Sequence, residues 1–256
     1  MMPRALITGA SGGIGLELAR ILARECYDVV LVARSRSRLE EIAEELRKTH
    51  GVKVDVIARD LANAGAPAEI HRQVGSIDVL VNNAGFGLYG NFVDSPPEEE
   101  LGLMHLNMDA LVVLTRLFLP GMIEAHSGRI MNVASTAAFQ PGPLMALYYA
   151  SKAFVLHFSE AINNELKGTG VTVTVLCPGP TETGFQARAA MEDSRLTRMG
   201  MMMSAKDVAE KGYRALMRGK TVYIPGLRNR LLAQSVRLTP RKLVTAVARK
   251  IQDRVH

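Results

Sequence analysis

Tryptophan is absent from these 256 residues, and cysteine occurs only twice, at Cys26 and Cys177. Two distant thiols with neither dithiol nor metal-like spacing exclude a disulfide framework and suit a reducing, cytoplasmic setting. The six histidines form no H-E-x-x-H or paired pattern, so no metal site is expected. No run of apolar residues approaches the ~20 that cross a bilayer. The opening "MMPRALITGA" passes directly into a strand-like stretch, which leaves no room for a signal peptide. Acidic side chains are nearly missing from one region. Between Arg228 and His256, eight cations stand against Asp253 alone, a local charge of +7 within a chain of net charge +6. The basicity therefore belongs to the tail, and the body is close to neutral.

What is present is an alternation. Short apolar, β-branched runs lie at 4–8, 28–33, 52–58, 77–83, 128–135, 171–177 and 221–225, with helix-length segments between them. Continuous apolar strands separated by helices indicate a parallel sheet covered on both faces. Ser37 and Glu40 read as a capping box that opens an amphipathic helix to Lys48. No repeat, low-complexity segment or linker interrupts the chain before about residue 226. The expected architecture is α/β: a doubly wound, mainly parallel seven-stranded sheet over residues 1–226, followed by a basic helical extension over 227–256.

The first strand runs into "TGASGGIGLELA", where Gly9, Gly13 and Gly15 separate a strand from a helix. Glycines let the backbone turn tightly and approach a pyrophosphate, whose charge then meets a helix N-terminus. A plain glycine-rich turn would look the same in isolation, but the position at the first strand of an α/β chain favours a dinucleotide. An acid at the end of the second strand would bind a free ribose 2′-hydroxyl. Here "VVLVARSRSR" offers Ala33 and Arg34 and no acid. Arginine suits a 2′-phosphate that a carboxylate would repel, so NADP(H) is expected over NAD(H). Ser11 is positioned to add a hydrogen bond to that phosphate, whereas Arg36 and Arg38 read as a solvated basic loop.

Further along, "ALYYASKAF" sets Tyr148 four and Tyr149 three residues ahead of Lys152. Both spacings bring a phenol near the ammonium on a helix, so helical geometry alone does not choose between them. The ordered set T-G-x-x-x-G-I-G with Ile14, "NNAG" at 82–85, Asn107, Ser135 and Y-x-x-x-K resembles the short-chain dehydrogenase/reductase family over about residues 4–225. The resemblance implies a Rossmann-type fold and an enzyme that interconverts a carbonyl and a secondary alcohol. It makes Tyr148 the acid/base, Ser135 the partner of the substrate oxygen and Asn107 a member of the proton relay. Lys152 would lower the phenol's ordinary pKa near ~10 and bind the nicotinamide ribose. By the same analogy Asp60, Leu61, Asn82, Ala84 and Gly85 lie on the adenine side. Pro178 and Gly179 shape a bend, and Thr183 meets the carboxamide. A homodimer or homotetramer is also implied.

The span 184–204 falls where this family carries its substrate lid. Met199, Met201, Met202 and Met203, joined by Phe139, Met145 and Phe185, suit adaptable apolar contact, although they would equally pack a lid onto the body. A hydrophobic carbonyl substrate follows, with a 3-oxoacyl thioester, a steroid-like ketone and an aldehyde all compatible. In the tail, Leu243, Val244, Val247, Ile251 and Val255 share one face of a helical wheel, opposite Arg241, Lys242, Arg249 and Lys250. Such a helix docks on the body or a partner subunit, or lies on an anionic membrane. Nucleic acid is not expected, because the tail has no aromatic side chains to stack on bases. A non-catalytic NADP-sensing or membrane-docked scaffold is the rival from another class, and the Ser135–Tyr148–Lys152 set argues against it.

Overall fold

In the computed structural model, which describes residues 2–185 and 202–253, the apolar runs become a single parallel sheet. Its strands are β1 (Arg4–Thr8), β2 (Asp28–Ala33), β3 (Val54–Ala58), β4 (Val79–Asn82), β5 (Gly128–Val133), β6 (Val171–Leu176) and the two-residue β9 (Val222–Tyr223). They lie in the order β3-β2-β1-β4-β5-β6-β9, as the Rossmann-type expectation requires. A separate parallel pair, β7 (Thr181–Glu182) and β8 (Met203–Ser204), stands apart from the main sheet. Met199 and Met201 lie outside the described residues.

Both faces of the sheet are buried, which is why its strands read as unbroken apolar runs. Successive strand residues point to opposite sides. Ala5 and Ile7 of β1 enter a cluster with Leu18 and Leu22 of α1 (Gly13–Arg24), Leu39 and Ile42 of α2 (Arg36–His50) and Val208 of α7 (Ala205–Met217). Leu6, between them, enters the opposite cluster with Ile70 of α3 (Ala66–Val74) and Leu114 and Phe118 of α5 (Ala110–Glu124). The long α6 (Ala146–Glu165) packs beside these against β5 and β6 through Val155 and Leu156.

Two local expectations change. Ser35, not Ser37, occupies the N-cap of α2, and its side chain makes no capping hydrogen bond. Ser37 sits inside the first turn, so the apparent capping box is a coincidence of spacing. The helical run 97–124, made of α4 (Pro97–Met104), a π turn and α5, is long and apolar enough to cross a membrane by length and composition. Leu103, Leu114, Phe118 and Met122 are buried in the protein, so this run serves the core of the fold.

The tail forms α8 (Leu227–Ser235) and α9 (Arg241–Gln252), with Pro240 at the N-cap of α9. It folds back on the body. The edge that buries is Val244, Ala248 and Gln252, whereas Leu243 and Val247 stay about half exposed and Val255 lies outside the described residues.

Candidate active site

A cavity of about 1110 Å³ opens along the carboxyl ends of the strands. The loops after β1, β2, β3, β4, β5 and β6 all reach it, at the place where the order of the sheet reverses between β1 and β4. Such a switch point is where doubly wound folds bind ligands.

The glycine loop forms one end. Gly9 and Gly13 have φ of +67° and +55°, a backbone that strongly favours glycine. A Cβ at Gly15 would come within 2.4 Å of the Gly9 carbonyl oxygen and of Asn83 Nδ2. Gly15 therefore lies beneath the cavity and sets how closely helix and strand approach, while Gly9, Ser11, Gly13 and Ile14 line it. Helix α1 has extended Gly12 at its N-cap, no side-chain cap and no acidic residue in its first turn. Its first amide groups are thus left for an anion, and a glycine cradle at an uncapped helix start fits a dinucleotide pyrophosphate. Arg34 stands exposed at the rim. Its neighbours Arg36 and Arg38 pair with Glu40 and Glu41, whereas Arg34 has no ion-pair partner among the described residues. Asp60, Leu61, Ala84 and Gly85 line the same end.

Asn82 does not reach the cavity. It is the last residue of β4 and points into the core, where its Nδ2 donates to Thr115 Oγ1 at 3.1 Å and to Asn132 Oδ1 at 2.9 Å. The next residue does the work at the loop. Asn83 Nδ2 donates to the Thr8 carbonyl at 2.9 Å, and its backbone N–H donates to Thr8 Oγ1, also at 2.9 Å. Asn83 thereby ties the end of β4 to the glycine loop, a role the doubled asparagine in the sequence left hidden.

At the other end, Ser135 follows β5 and caps a short turn by accepting from Ala137 N–H at 3.1 Å. Its hydroxyl donates to the Pro178 carbonyl at 3.4 Å and lies close enough to the Tyr148 phenol to influence it. Burial holds the Tyr148 phenol well above its ordinary range; the Ser135 contact pulls it only partly back. The expected lowering by Lys152 is not what this geometry produces. Lys152 Nζ lies 5.7 Å from the Tyr148 ring centroid and donates to the Val133 carbonyl at 2.9 Å. Burial without a carboxylate partner pulls the ammonium down to about 8.

Asn107 also stands behind the cavity wall. It lies in the π turn His105–Asp109 and is buried, with Nδ2 donating to the Phe86 carbonyl at 3.0 Å and to Ser151 Oγ at 3.1 Å. Its Oδ1 accepts from Phe86 N–H at 3.1 Å. Ser151 Oγ donates in turn to the Tyr148 carbonyl at 2.8 Å, so Asn107 braces the catalytic helix against the loop after β4. A Cβ at Gly85 would stand 2.9 Å from Asn107 Oδ1 and 3.4 Å from Lys152 Nζ, which explains a small residue there.

The substrate side is apolar. Phe185 lies 5.0 Å from the Tyr148 ring, centroid to centroid, and Met145 and Met202 line the space with it. Phe139 packs instead behind the wall, against Val155 and Leu156. Met203 belongs to β8. Thr183 lines the cavity beside the glycine loop, with its methyl group 3.0 Å from where a Gly13 Cβ would stand. Pro178 and Gly179 also line it, and Gly179 has no room for a Cβ because Asn229 of α8 lies 2.5 Å away.

The roof comes from the tail. Gln252 Nε2 donates to Tyr149 Oη at 2.6 Å, and Tyr89 Oη donates to the Gln252 carbonyl at 2.7 Å. Tyr148 therefore faces Ser135, and its neighbour Tyr149 anchors α9. Sequence reasoning missed Gln252 and Tyr89, whose partners lie far along the chain.

Comparison with known proteins agrees with this geometry. Residues 3–193 match the short chain dehydrogenase family, and the protein belongs to it. The chain is 37% identical over 211 residues to the ketoacyl reductase HetN of Nostoc, covering 80% of this chain and 73% of that one. It is 38% identical over 178 residues to 17-beta-hydroxysteroid dehydrogenase type 3 of Mus musculus, covering 68% of this chain and 58% of that one. A short-chain dehydrogenase from Sphingobium yanoikuyae, solved in complex with NADPH, superposes with a TM-score of 0.84 at 34% identity, covering 91% of this chain and 92% of that one. The protein is an oxidoreductase that acts on CH–OH or C=O groups with a nicotinamide dinucleotide.

Proposed function

We propose that this enzyme is an NADP(H)-dependent reductase of hydrophobic ketones, with 3-oxoacyl thioesters the first class to test. The observation that carries the reading is the half-buried, protonated Tyr148 phenol, set beside Ser135 in a compartment walled by Phe185, Met145 and the tail helices. When bound, the reduced nicotinamide supplies the hydride to the carbonyl carbon. Ser135 Oγ holds the carbonyl oxygen, and Tyr148 Oη gives that oxygen its proton as the C–H bond forms. The product is a secondary alcohol, and the phenolate left behind is reprotonated from solvent through the relay that includes Asn107.

A protonated phenol facing the cavity is placed to give the reduced oxygen its proton. Lys152 keeps two ammonium donors beyond its bond to Val133, enough to hold a ribose hydroxyl beside Tyr148. The unpaired Arg34 supports the 2′-phosphate and hence NADP(H). Gly9, Ser11, Gly13 and Ile14 would hold the pyrophosphate; Asp60, Leu61, Ala84 and Gly85 the adenine side; Thr183 the carboxamide. The reading also includes a homodimer or homotetramer, and contact of the basic extension 227–256 with an anionic membrane surface.

The deciding experiment follows NADPH consumption on 3-oxoacyl thioesters of graded chain length, with a steroid ketone alongside. Turnover that rises with chain length and vanishes in Tyr148→Phe is the expected result. Tight NADPH binding without turnover of any ketone would overturn it in favour of a non-catalytic NADP-binding role.

A further inference from the structure

Hairpin α8–α9 does more than roof the cavity. Its outer surface carries apolar side chains that stand largely exposed: Leu227 is 72% exposed, Leu231 62% and Leu238, in the turn between the helices, 91%. Leu227 and Leu231 lie one turn apart on the same side of α8. At the rim, Leu232, Leu243 and Val247 line the cavity and are also about half exposed, so its mouth on this side is apolar.

The charges around these side chains have one sign. Between Leu227 and Asp253 there are seven cations and a single acid, Asp253, which Arg249 already engages at 3.1 Å. Among the described residues, Arg230, Arg237, Arg241, Lys242 and Lys250 have no acidic partner. Isolated exposed leucines need no explanation, but leucines alternating with unpaired cations over two helices do. An acidic protein would satisfy the cations and leave the leucines in water. A second copy of the chain would cover the leucines and set cation against cation. An anionic bilayer satisfies both, with leucines below the headgroups and arginines among them.

We infer that the outer face of α8–α9 docks on an anionic lipid surface and that the cavity mouth beside it takes its ketone from the bilayer. This inference rests on the apolar-ketone reading above. Both the substrate and its route then follow from one feature, a mouth whose rim is continuous with a lipid-seeking surface.

The test uses the full chain with two double variants, neither touching a cavity-lining residue: Arg230→Glu with Arg237→Glu, and Leu231→Ser with Leu238→Ser. Each is spun down with vesicles of phosphatidylcholine plus phosphatidylglycerol, and with phosphatidylcholine alone. Wild type should pellet with the anionic vesicles only. Removing two cations alone would weaken this roughly 25-fold, at about fivefold per charge, and the double reversal, a change of four charges, should weaken it by at least about 100-fold. The leucine pair should weaken it by at least about tenfold. Reduction of a long-chain methyl ketone carried in the vesicles should fall with binding, while a short water-soluble methyl ketone is reduced at the wild-type rate.

Wild type remaining in the supernatant would overturn the inference. So would pelleting that the leucine pair leaves unchanged, which would mark an electrostatic site for an acidic protein. A leucine pair that halves the sedimenting mass would overturn it too, because the face would then belong to a second copy. If neither ketone is reduced, the substrate reading fails, while pelleting without substrate still decides the docking.

Discussion

The amide of Gln252 and the hydroxyl of Tyr149, 103 residues apart in the chain, meet at 2.6 Å in the interior. This contact separates the two adjacent phenols by task. On the proposed reading Tyr148 works at the reacting oxygen, and Tyr149 fastens the wall opposite through Gln252.

Their phenylalanine variants should therefore fail in different ways. Tyr148→Phe should lower kcat by about 10²–10⁴-fold, the usual range for a lost general acid, with little change in melting temperature. Tyr149→Phe leaves a buried amide donor unpaired, at a cost of about 1–3 kcal/mol. For a chain of this size that lowers Tm by roughly 2–4 °C per kcal/mol, and the damage to turnover should appear mainly in KM for bulky ketones. Thermal melts beside steady-state kinetics separate the two. Equal loss of kcat in both variants would refute the division.

Arg34→Ala should raise the KM for NADPH by about 10–150-fold, corresponding to the ~1.5–3 kcal/mol of hydrogen bonds to a charged group. The KM for NADH should barely move. Parallel loss with both cofactors would show that Arg34 holds the loop and not the phosphate.

Gly15→Ala and Gly12→Ala make a sharp pair, three residues apart at the start of α1. At Gly15 the new methyl meets the Gly9 carbonyl oxygen at 2.4 Å, a backbone atom that cannot turn aside. Overpacking of this kind costs about 1–3 kcal/mol, and NADPH binding should weaken with it. At Gly12 nothing lies within 4 Å and φ is −177°, so chemical denaturation of the cofactor-free protein should shift by less than about 0.5 kcal/mol.

Stability against pH should carry the mark of Lys152. Its amine, held to about 8 by burial, gives up its proton in the folded protein well below the ordinary 10.5. Between about pH 8 and 10.5 the unfolded chain thus binds more protons than the folded one, and stability rises with pH across that window. Tyr148 acts in the opposite sense. Its phenol stays protonated above the ordinary 10.0, so beyond about pH 10 the unfolded chain ionises first and stability falls. Denaturant midpoints of the cofactor-free protein should climb from about pH 8, level off near pH 9 where the buried Cys177 thiol, pushed up to about 12, begins to oppose the rise, and fall beyond about pH 10. In Lys152→Met the climb should disappear and the fall remain.

The sheet was legible because burial on both faces forces each strand into an unbroken apolar run, visible in "DVVLVA" and "VTVTVL" without any partner in view. The glycine loop and Ser135 were legible for a similar reason, since each is fixed by its own turn. Asn82 and Asn83 show where this stops: one residue of register decides which asparagine faces the core, and composition does not reveal it. The tail helix shows it again. Its apolar wheel pointed to Leu243, Val244 and Val247, but the edge that buries joins Val244 to Gln252, whose side-chain amide meets Tyr149 while Tyr89 holds its backbone carbonyl. Spacing likewise placed Lys152 near Tyr148 and could not say that its ammonium would turn to the Val133 carbonyl.

The order of elements along the chain has a consequence for biosynthesis. Every strand of the main sheet precedes α8 and α9, so a chain emerging from a ribosome can complete its sheet and dinucleotide cleft before any roof exists. At that stage Tyr148 stands open to water, and Tyr149 has no amide to receive. Ser135, Tyr148 and Lys152 are therefore in place before the tail roofs them, and the Gln252–Tyr149 contact forms only when the last helix arrives.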